Sequence, residues 1–351
     1  GSEMCIRDRS IMREIGSEFY LSEIESVKTS NVLFWASHSN FVFSGRTAIE
    51  TVLRNEKNIK KAMLPSYCCD SMIEPFRRAK IEVCFYPVYF DKSIMVKIDI
   101  PNDADCLLWC NYFGFEVSMS DLGAFKGRGG IVIEDITHSF LSLKQFHESS
   151  DYLVASLRKW EPVLCGGYFV SRKSTKVDFK LEQPPSVFLN KKTKAMKMKS
   201  QYLSENLDID KTAFLNAFSE SNEWLAENYS GLAIDEYSKQ IFLNADYRKQ
   251  RDIRINNARI LYEGLEANQD IGFLFPIHGM DCPLFVPVII ANGKRDVIRK
   301  KLIDNRIYCP VHWPHPSAEC QSNLYELELS LICDQRYNED DMRRIVEVLN
   351  N

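Results

Sequence analysis

A lysine set among apolar residues is the feature of this sequence best suited to chemistry. Lys159 stands in Ser156-Leu157-Arg158-Lys159-Trp160, just after the apolar run Tyr152–Ala155, and Gly166-Gly167 then lead into another strand pattern. Such a lysine loses its charge more readily than a solvated one, and a neutral amine is what Schiff-base chemistry requires. Ser156 and Arg158 could hold a phosphate beside it. The ordinary alternative is a surface loop with two basic residues, because lone lysines are rarely catalytic.

Three other segments add matching chemistry. Ile131-Val132-Ile133-Glu134-Asp135 places a carboxylate at the end of a buried strand, with His138 three residues on. A buried carboxylate is costly without a partner. A pyridinium N–H is one suitable partner, and holding that nitrogen protonated keeps a pyridine cofactor an electron sink. Capping of the next turn is an equally good account of Asp135 taken alone. Ser44-Gly45-Arg46-Thr47-Ala48 precedes a helical pattern, and a helix start offers free N–H groups and a favourable dipole to a phosphate. Gly45 permits close approach, while Arg46 and Thr47 could add side-chain contacts. A simple cap is the common reading of such a segment. Leu64-Pro65-Ser66-Tyr67-Cys68-Cys69-Asp70-Ser71 runs from a strand end into a helix, where a residue covering a cofactor ring would sit.

The elements that must position these residues follow from apolar periodicity. Strands are expected at Lys61–Leu64, Glu82–Tyr86, Cys106–Cys110, Ile131–Glu134, Tyr152–Ala155 and Gly167–Ser171, and helices at Thr47–Asn55, Asp70–Ala79 and Ser120–Lys126. This alternation predicts an α/β layered domain with a mainly parallel sheet, in which ligands collect at the carboxyl ends of the strands. From the basic stretch Lys191–Lys199 the character changes. Helices at Ala213–Asn228 and Ala245–Leu265 lead to a strand (Pro283–Ile290), a helix (Arg295–Asp304), a strand (Glu326–Ile332) and a closing helix (Glu339–Leu349). That tail reads as a smaller α+β domain. The division expected is an N-terminal segment and helix over 1–30, a large domain over 31–228 and a small domain over 229–351. The basic stretch is read as a solvated loop or helix face rather than a steering patch for anions.

Bulk properties narrow the partners. A 351-residue chain with 45% hydrophobic and 26% charged residues has the ordinary globular mix, and a net charge of -4 gives no reason to expect nucleic acid or an anionic membrane. No apolar run approaches a bilayer-spanning length. Gly1-Ser2 reads as a cloning remnant, the residues through Arg9 lack the features of a secretion signal, and a cytoplasmic setting is the default. The 11 cysteines are scattered without paired spacing, which favours small buried hydrophobes over a metal or disulfide framework. His312, Trp313 and His315 sit among prolines with no carboxylate cluster, so an active-site rim is favoured there over a metal site. Arg336 is either a carboxylate fork or a turn residue before the last helix.

In their order along the chain, these segments resemble the DegT/StrS sugar aminotransferases, a family of fold-type I pyridoxal-phosphate enzymes. Ser44-Gly45-Arg46-Thr47 is similar to the family's Ser-Gly-Thr phosphate loop, and Glu134-Asp135-Ile136-Thr137-His138 to its Glu-Asp-Ala-Ala-Gln/His segment. The resemblance implies that Asp135 meets the pyridine nitrogen, that His138 falls near the ring hydroxyl, and that Lys159 carries the cofactor. Ser156 to Lys159 resembles the family's Ser…Lys segment, with Gly166-Gly167 beyond it. The run Arg251 to Tyr262 is similar to its Arg-rich helix, and Tyr308-Cys309-Pro310-Val311-His312 to its substrate-facing Tyr-x-Pro-x-His. Asn111 lies where other fold-type I enzymes place a ring-hydroxyl contact, although an Asn shortly before a Gly is more often a turn residue.

Two departures stand out. Cys68-Cys69 replaces the family's Thr-Phe or Thr-Trp, leaving either the Cys69 sulfur or Tyr67 to cover the ring, and the Ser156–Lys159 spacing is tighter. The resemblance implies a transaminase that takes an amino group from an amino-acid donor such as glutamate and delivers it to a keto acceptor such as a nucleotide-linked keto sugar. It also implies a homodimer with the site at the interface. Another fold-type I pyridoxal-phosphate chemistry, such as a lyase, decarboxylase or cysteine-sulfur reaction, and a non-catalytic binder on the same fold are the alternatives left open.

Overall fold

In the computed structural model, which describes residues 13–21, 40–118, 121–143, 146–173, 180–204, 209–316 and 319–351, the apolar runs become strands and the amphipathic stretches become helices. The first half contains β1 (Ile15–Gly16), β2 (Asn40–Val42), α1 (Gly45–Asn55), β3 (Lys61–Pro65), α2 (Asp70–Arg78) and β4 (Glu82–Tyr86). A hairpin of β5 (Val88–Asp91) and β6 (Ser93–Val96) precedes β7 (Cys106–Cys110), α3 (Gly123–Gly127), β8 (Ile131–Asp135), β9 (Tyr152–Ser156) and β10 (Gly167–Ser171).

Seven of these strands share one sheet, in the order β2-β10-β9-β8-β7-β3-β4. Strands β9, β8, β7, β3 and β4 run parallel, while β10 is antiparallel to both its neighbours. Every residue of Cys106–Cys110 is buried, as a central strand covered on both faces requires. On α1 the residues Ala48, Ile49, Val52 and Leu53 form the buried stripe, and the Ser44 hydroxyl caps the helix by accepting the Thr47 N–H at 3.2 Å. Because the central strands are parallel, their carboxyl ends at Pro65, Cys110, Asp135 and Ser156 meet at one edge of the sheet.

The second half begins with α4 (Ser186–Leu203) and α5 (Lys211–Glu227), which pack through Ala195, Met196, Phe214 and Phe218. Then come α6 (Glu236–Asn244), α7 (Tyr247–Leu265), β11 (Gly272–Phe273), β12 (Val286–Ile289), α8 (Arg295–Asp304) and β13 (Ile307–Tyr308). The chain closes with α9 (Leu324–Leu327), β14 (Glu328–Leu331) and α10 (Glu339–Asn350), the last opened by a capping box between Asn338 and Asp341. Strand β12 lies between β11 and β14 in an antiparallel sheet. One apolar cluster joins the two sheets, running from Leu107 and Leu108 through Phe113 and Phe275 to Val286, Leu329 and Ile345. Strand β1 pairs in parallel with β13, and the Tyr337 hydroxyl accepts the Gly16 N–H at 2.8 Å, so residues near the start of the chain are fastened to its last third.

The α/β class and the mainly parallel sheet are as the sequence predicts, and the central strands match within a residue or two. Four differences have local causes. The basic stretch is part of the 18-residue α4, whose Lys192 and Lys199 face inward and are 3% and 2% exposed, rather than a solvated face. Helix α6 was not anticipated; Asp235 starts it by accepting the Ser238 N–H, and Asp246 then starts α7 by accepting the Lys249 N–H. The expected strand over Glu326–Ile332 begins as the helical turn α9, so only Glu328–Leu331 pairs with β12. The expected helix Ser120–Lys126 shrinks to Gly123–Gly127, with part of the expected range outside the described residues. Most of the helix expected within 1–30 also lies outside them, and 13–21 contributes β1 instead.

Gly167 shows how closely the site's elements approach one another. A Cβ built there would lie 2.1 Å from the Ser44 carbonyl oxygen, which is backbone and cannot step aside. Gly167→Ala is therefore expected to destabilise the fold by about 3 kcal/mol, the upper end for an overpacked site. Urea denaturation of the variant checks this, and an unchanged midpoint would contradict the tight approach of β10 to the start of α1.

Candidate active site

The carboxyl edge of the parallel strands opens onto a cavity of about 430 Å³. Its walls combine the start of α1 (Ser44, Gly45, Arg46), the start of α2 (Cys69, Ser71), the ends of β8 and β9 (Asp135, Ser156) and the following Thr137, His138, Arg158 and Lys159. Trp313, from the last third of the chain, completes them. The strand alternation explains which carboxylate of Glu134-Asp135 reaches the cavity. Asp135 lines it, whereas Glu134 is tied to the Asn111 amide, the Ser150 hydroxyl and the His147 N–H.

Lys159 sits on a single 3-10 turn after β9, its amine 2.9 Å from His138 Nε2 and 5.5 Å from the centre of the Trp313 ring. Burial pushes its pKa down; Cys69, Asp135 and Cys110 oppose that, and Arg158 adds to it. Burial, then Lys159 and His312, hold His138 well below the ordinary histidine range. The Phe113 N–H points at His138 Nδ1 from 3.3 Å, which makes Nδ1 the acceptor and assigns the ring proton to Nε2. A proton on Nε2 donates to Lys159 Nζ only when that amine is neutral. Both shifts run the same way, burial disfavouring the ammonium of Lys159 and the imidazolium of His138 alike.

Asp135 is 7% exposed, and burial raises its pKa against the two hydrogen bonds from Thr137, one of them the Thr137 N–H at 2.8 Å. Thr137 braces the whole edge. Its hydroxyl accepts the Ser156 N–H at 2.9 Å, and its carbonyl accepts the Trp160 indole N–H at 2.7 Å. At the far end Arg46 and Arg158 each leave a buried Nε without a hydrogen-bond partner among the described residues, although Glu74 lies 3.9 Å from that of Arg46. A Cβ on Gly45 would come within 3.2 Å of the Ser156 Cβ, so the helix start and the lysine strand form one tight cradle. Unpartnered guanidinium nitrogens, free helix-start N–H groups and a buried carboxylate across the cavity fit pyridoxal phosphate, with its phosphate at one end and ring nitrogen at the other.

A second cavity of about 440 Å³ shares Arg158 and Lys159 with the first and is lined by Tyr308, His312, Arg254, Arg299 and the Asp334–Arg336 pair. Arg336 is fully engaged: Nε and Nη2 each bond Asp334 at 2.8 Å, and Nη1 reaches the carbonyls of Ser17 and Glu18. Tyr308 OH accepts from the Lys211 amine at 2.8 Å.

Of the residues singled out from sequence, Gly45, Arg46, Cys69, Asp135, His138, Ser156 and Lys159 line the first cavity, and Tyr308 and His312 the second. Two are placed elsewhere. Thr47 is buried, donating to the Tyr229 carbonyl and pairing with Ser44. Asn111 has both ends of its amide committed, to the Trp109 indole and to Glu134. Tyr67 does not line the cavity either; it is buried, stacked 5.7 Å from Tyr112 and tilted against Trp313 at 5.0 Å. Cys69 and Trp313 both do. Trp313 carried no sequence signal beyond its place between His312 and Pro314, and Glu18 and Asn222 carried none.

The depressed Lys159 pKa has a measurable sign. Below the ordinary lysine value of 10.5 the unfolded chain binds this proton more tightly than the folded chain does, so the residue destabilises the fold there, and the penalty disappears as pH rises through 10.5. Lys159→Met is expected to melt higher than the parent at pH 7, with the difference shrinking toward pH 10. Circular-dichroism melts of both proteins without added cofactor test this; a parent that melts higher at pH 7 would show that burial of the amine carries no cost.

No protein-family sequence model and no curated protein sequence matches the chain. Solved structures do. The aminotransferase PseC of Helicobacter pylori, involved in pseudoaminic acid biosynthesis, superposes with a TM-score of 0.67 at 14% identity over 96% of this chain and 98% of its own. The aminotransferase TlmJ of Streptoalloteichus hindustanus gives 0.60 at 14% identity over 90% of this chain and 85% of its own. A DegT/DnrJ/EryC1/StrS aminotransferase of Brucella abortus gives 0.59 at 14% identity over 89% and 85%. At this level of identity the likeness establishes architecture: the chain has the fold-type I aminotransferase fold.

Proposed function

We propose that this chain is a pyridoxal-phosphate-dependent aminotransferase. The observation that carries the reading is the convergence on one cavity of a partly buried amine at Lys159, a buried carboxylate at Asp135 and the guanidinium groups of Arg46 and Arg158. The fold shared with PseC, TlmJ and the Brucella abortus enzyme supports it. In this reading Ser44, Gly45, Arg46, Ser156 and Arg158 take the phosphate, Asp135 keeps a proton on the ring nitrogen, and Cys69 and Trp313 flank the ring. When bound, the cofactor supplies an electron sink for the carbon that loses or gains a proton. Lys159 Nζ, whose lone pair burial helps to free by disfavouring the ammonium form, carries that proton as base and then acid. His138 holds the amine in place through Nε2, and His312 and Tyr308 face the substrate in the adjoining cavity.

The donor in this reading is an amino acid such as glutamate, and the acceptor a keto compound. The resemblance of the Tyr308–His312 segment to the sugar aminotransferases favours a nucleotide-linked keto sugar. A homodimer with the site at the interface belongs to the same reading and rests on the same resemblance. Among the described residues no helix is long and apolar enough to cross a membrane.

Protein mixed with pyridoxal phosphate is expected to develop a visible absorbance band that borohydride fixes onto the Lys159 peptide. Lys159→Ala should lose the fixed label, and Asp135→Asn should keep the label but lose roughly 10²–10⁴-fold in turnover. A label on another lysine, or none, would overturn the assignment. Release of sulfide or carbon dioxide from amino acids in place of amine transfer would redirect it to another chemistry on the same fold.

A further inference from the structure

Glu328 is a glutamate at the start of the last strand of the C-terminal sheet, 0% exposed, with no ion pair among the described residues. It does have two hydrogen-bonded partners. One carboxylate oxygen accepts the His312 N–H at 2.7 Å, and the other is in a short contact with the Ser330 hydroxyl. The Ser330 hydroxyl lies 2.7 Å from His312 Nδ1. Ser330 is 0% exposed and His312 6%, so an unbroken chain runs Glu328–Ser330–His312 with no solvent beside it. Its far end is in the site. His312 lines the cavity that it shares with Lys159, and its ring centre is 5.3 Å from that of His138. With Nδ1 directed at Ser330, Nε2 is the ring atom turned away from the chain.

We propose that Glu328 and Ser330 form a buried proton relay that sets the tautomer of His312, and thereby makes its Nε2 a donor or an acceptor toward a molecule in that cavity. Each transfer balances. With the proton on Glu328, the carboxyl donates to Ser330 Oγ, the serine hydroxyl donates to His312 Nδ1, and Nε2 carries the ring proton. When Nε2 gives that proton to an oxygen of the bound keto compound, Nδ1 takes the serine proton and the serine takes the carboxyl proton. The ring is then neutral again, with a bare Nε2 that accepts a proton by the reverse route. No free imidazolium or imidazolate is needed, which matters because burial and the neighbouring Lys159 oppose charge on His312. Glu328 and Ser330 are positioning residues; His312 is the group that meets the substrate, and that last role rests on the aminotransferase reading.

The surroundings permit the carboxyl to hold a proton at neutral pH. Burial raises its pKa to about 8, against the hydrogen bonds from Ser330 and His312 and the more distant Arg295 and Lys159. Tyr67 and Cys309 also sense its charge, and His138 faces His312. A glutamate buried only for packing would be replaced by an apolar residue at no loss. A glutamate in a hydrogen-bonded chain that ends in a cavity is placed to move a proton.

Nitrogen NMR of the histidine side chains in the full-length protein, without cofactor, reads the tautomer directly and does not depend on the enzymatic reading. In the parent, His312 is expected to carry its proton on Nε2 at pH 6 and to change to Nδ1 as pH passes about 8. Glu328→Gln, with its amide oxygen kept on the His312 N–H and its NH2 donating to Ser330, should lock the Nε2–H form up to pH 9.5. Ser330→Ala should uncouple the ring from this transition, and it serves as a second variant if Glu328→Gln misfolds. A His312 tautomer that is independent of pH in the parent, or that follows pH identically in both variants, overturns the relay. In turnover assays the same Glu328→Gln change should lower kcat roughly 10²-fold with KM little changed. Normal tautomer coupling in a protein with no transaminase activity would refute the functional reading while leaving the relay intact.

Discussion

The contact between Lys159 Nζ and His138 Nε2 is the constraint around which the site is built. Burial works against charge on both groups, and the neighbouring Lys159 adds to that at His138. Keeping them 2.9 Å apart requires the end of β8, the turn after β9 and the Phe113 backbone to hold fixed positions. The fold meets this with hydrogen bonds that cross between segments. Thr137 joins β8 to β9 through Ser156, the Trp160 indole returns to the Thr137 carbonyl, and Gln335 donates to the Trp160 carbonyl from the last third of the chain at 2.7 Å. Rigid strand ends braced in this way give a lysine a defined position that a loop would not.

The same edge collects groups that would be poor choices for stability alone. Asp135 is a buried acid with a raised pKa, Arg46 and Arg158 hold unpartnered nitrogens, and Lys192 is driven by burial to about 8 despite Glu18. Glu18 is a counterweight here: desolvation opposes its ionisation, yet Lys192, Arg158 and the Asn222 amide hold its carboxyl below the usual range. Elsewhere the chain is well packed, with stacked rings such as Phe115 on Phe275 at 4.9 Å and Tyr262 on Phe273 at 4.1 Å. Local departures from good packing chemistry, supported by a conventional core, are the pattern expected where a protein has traded stability for a site.

What the sequence reveals and conceals follows from the range of the forces involved. The central strands are legible because an all-buried run such as Cys106–Cys110 needs no distant partner to identify it. Lys159, Asp135 and the Gly45 turn are legible because strand ends and helix starts in a parallel sheet point to one edge. The remainder depends on contacts between distant segments. Lys192 and Lys199 read as solvated charges until α5 and the segment around Glu18 close over them. Thr47 and Asn111 have the right types for cofactor contacts, but Tyr229 in one case and Trp109 with Glu134 in the other take up their hydrogen bonds. Glu328 gives no signal in sequence, since only its partners distinguish it from any glutamate in a strand.

The pair Cys68-Cys69 illustrates how a local departure can be answered from far along the chain. A thiol at position 69 leaves more room in the cavity wall than an aromatic ring would, and Tyr67 does not fill it, being held behind by Tyr112 and Tyr325. The indole of Trp313 lines the same cavity, stacked at 26° on His138 and backed by Tyr67. An aromatic surface is thus present at the site although the expected position lacks one. Its placement makes the last third of the chain part of that cavity's wall, because Trp313 follows His312, and His312 is fixed by Glu328 and Ser330. Any shift of that strand would move the indole over one cavity and the imidazole over the other together.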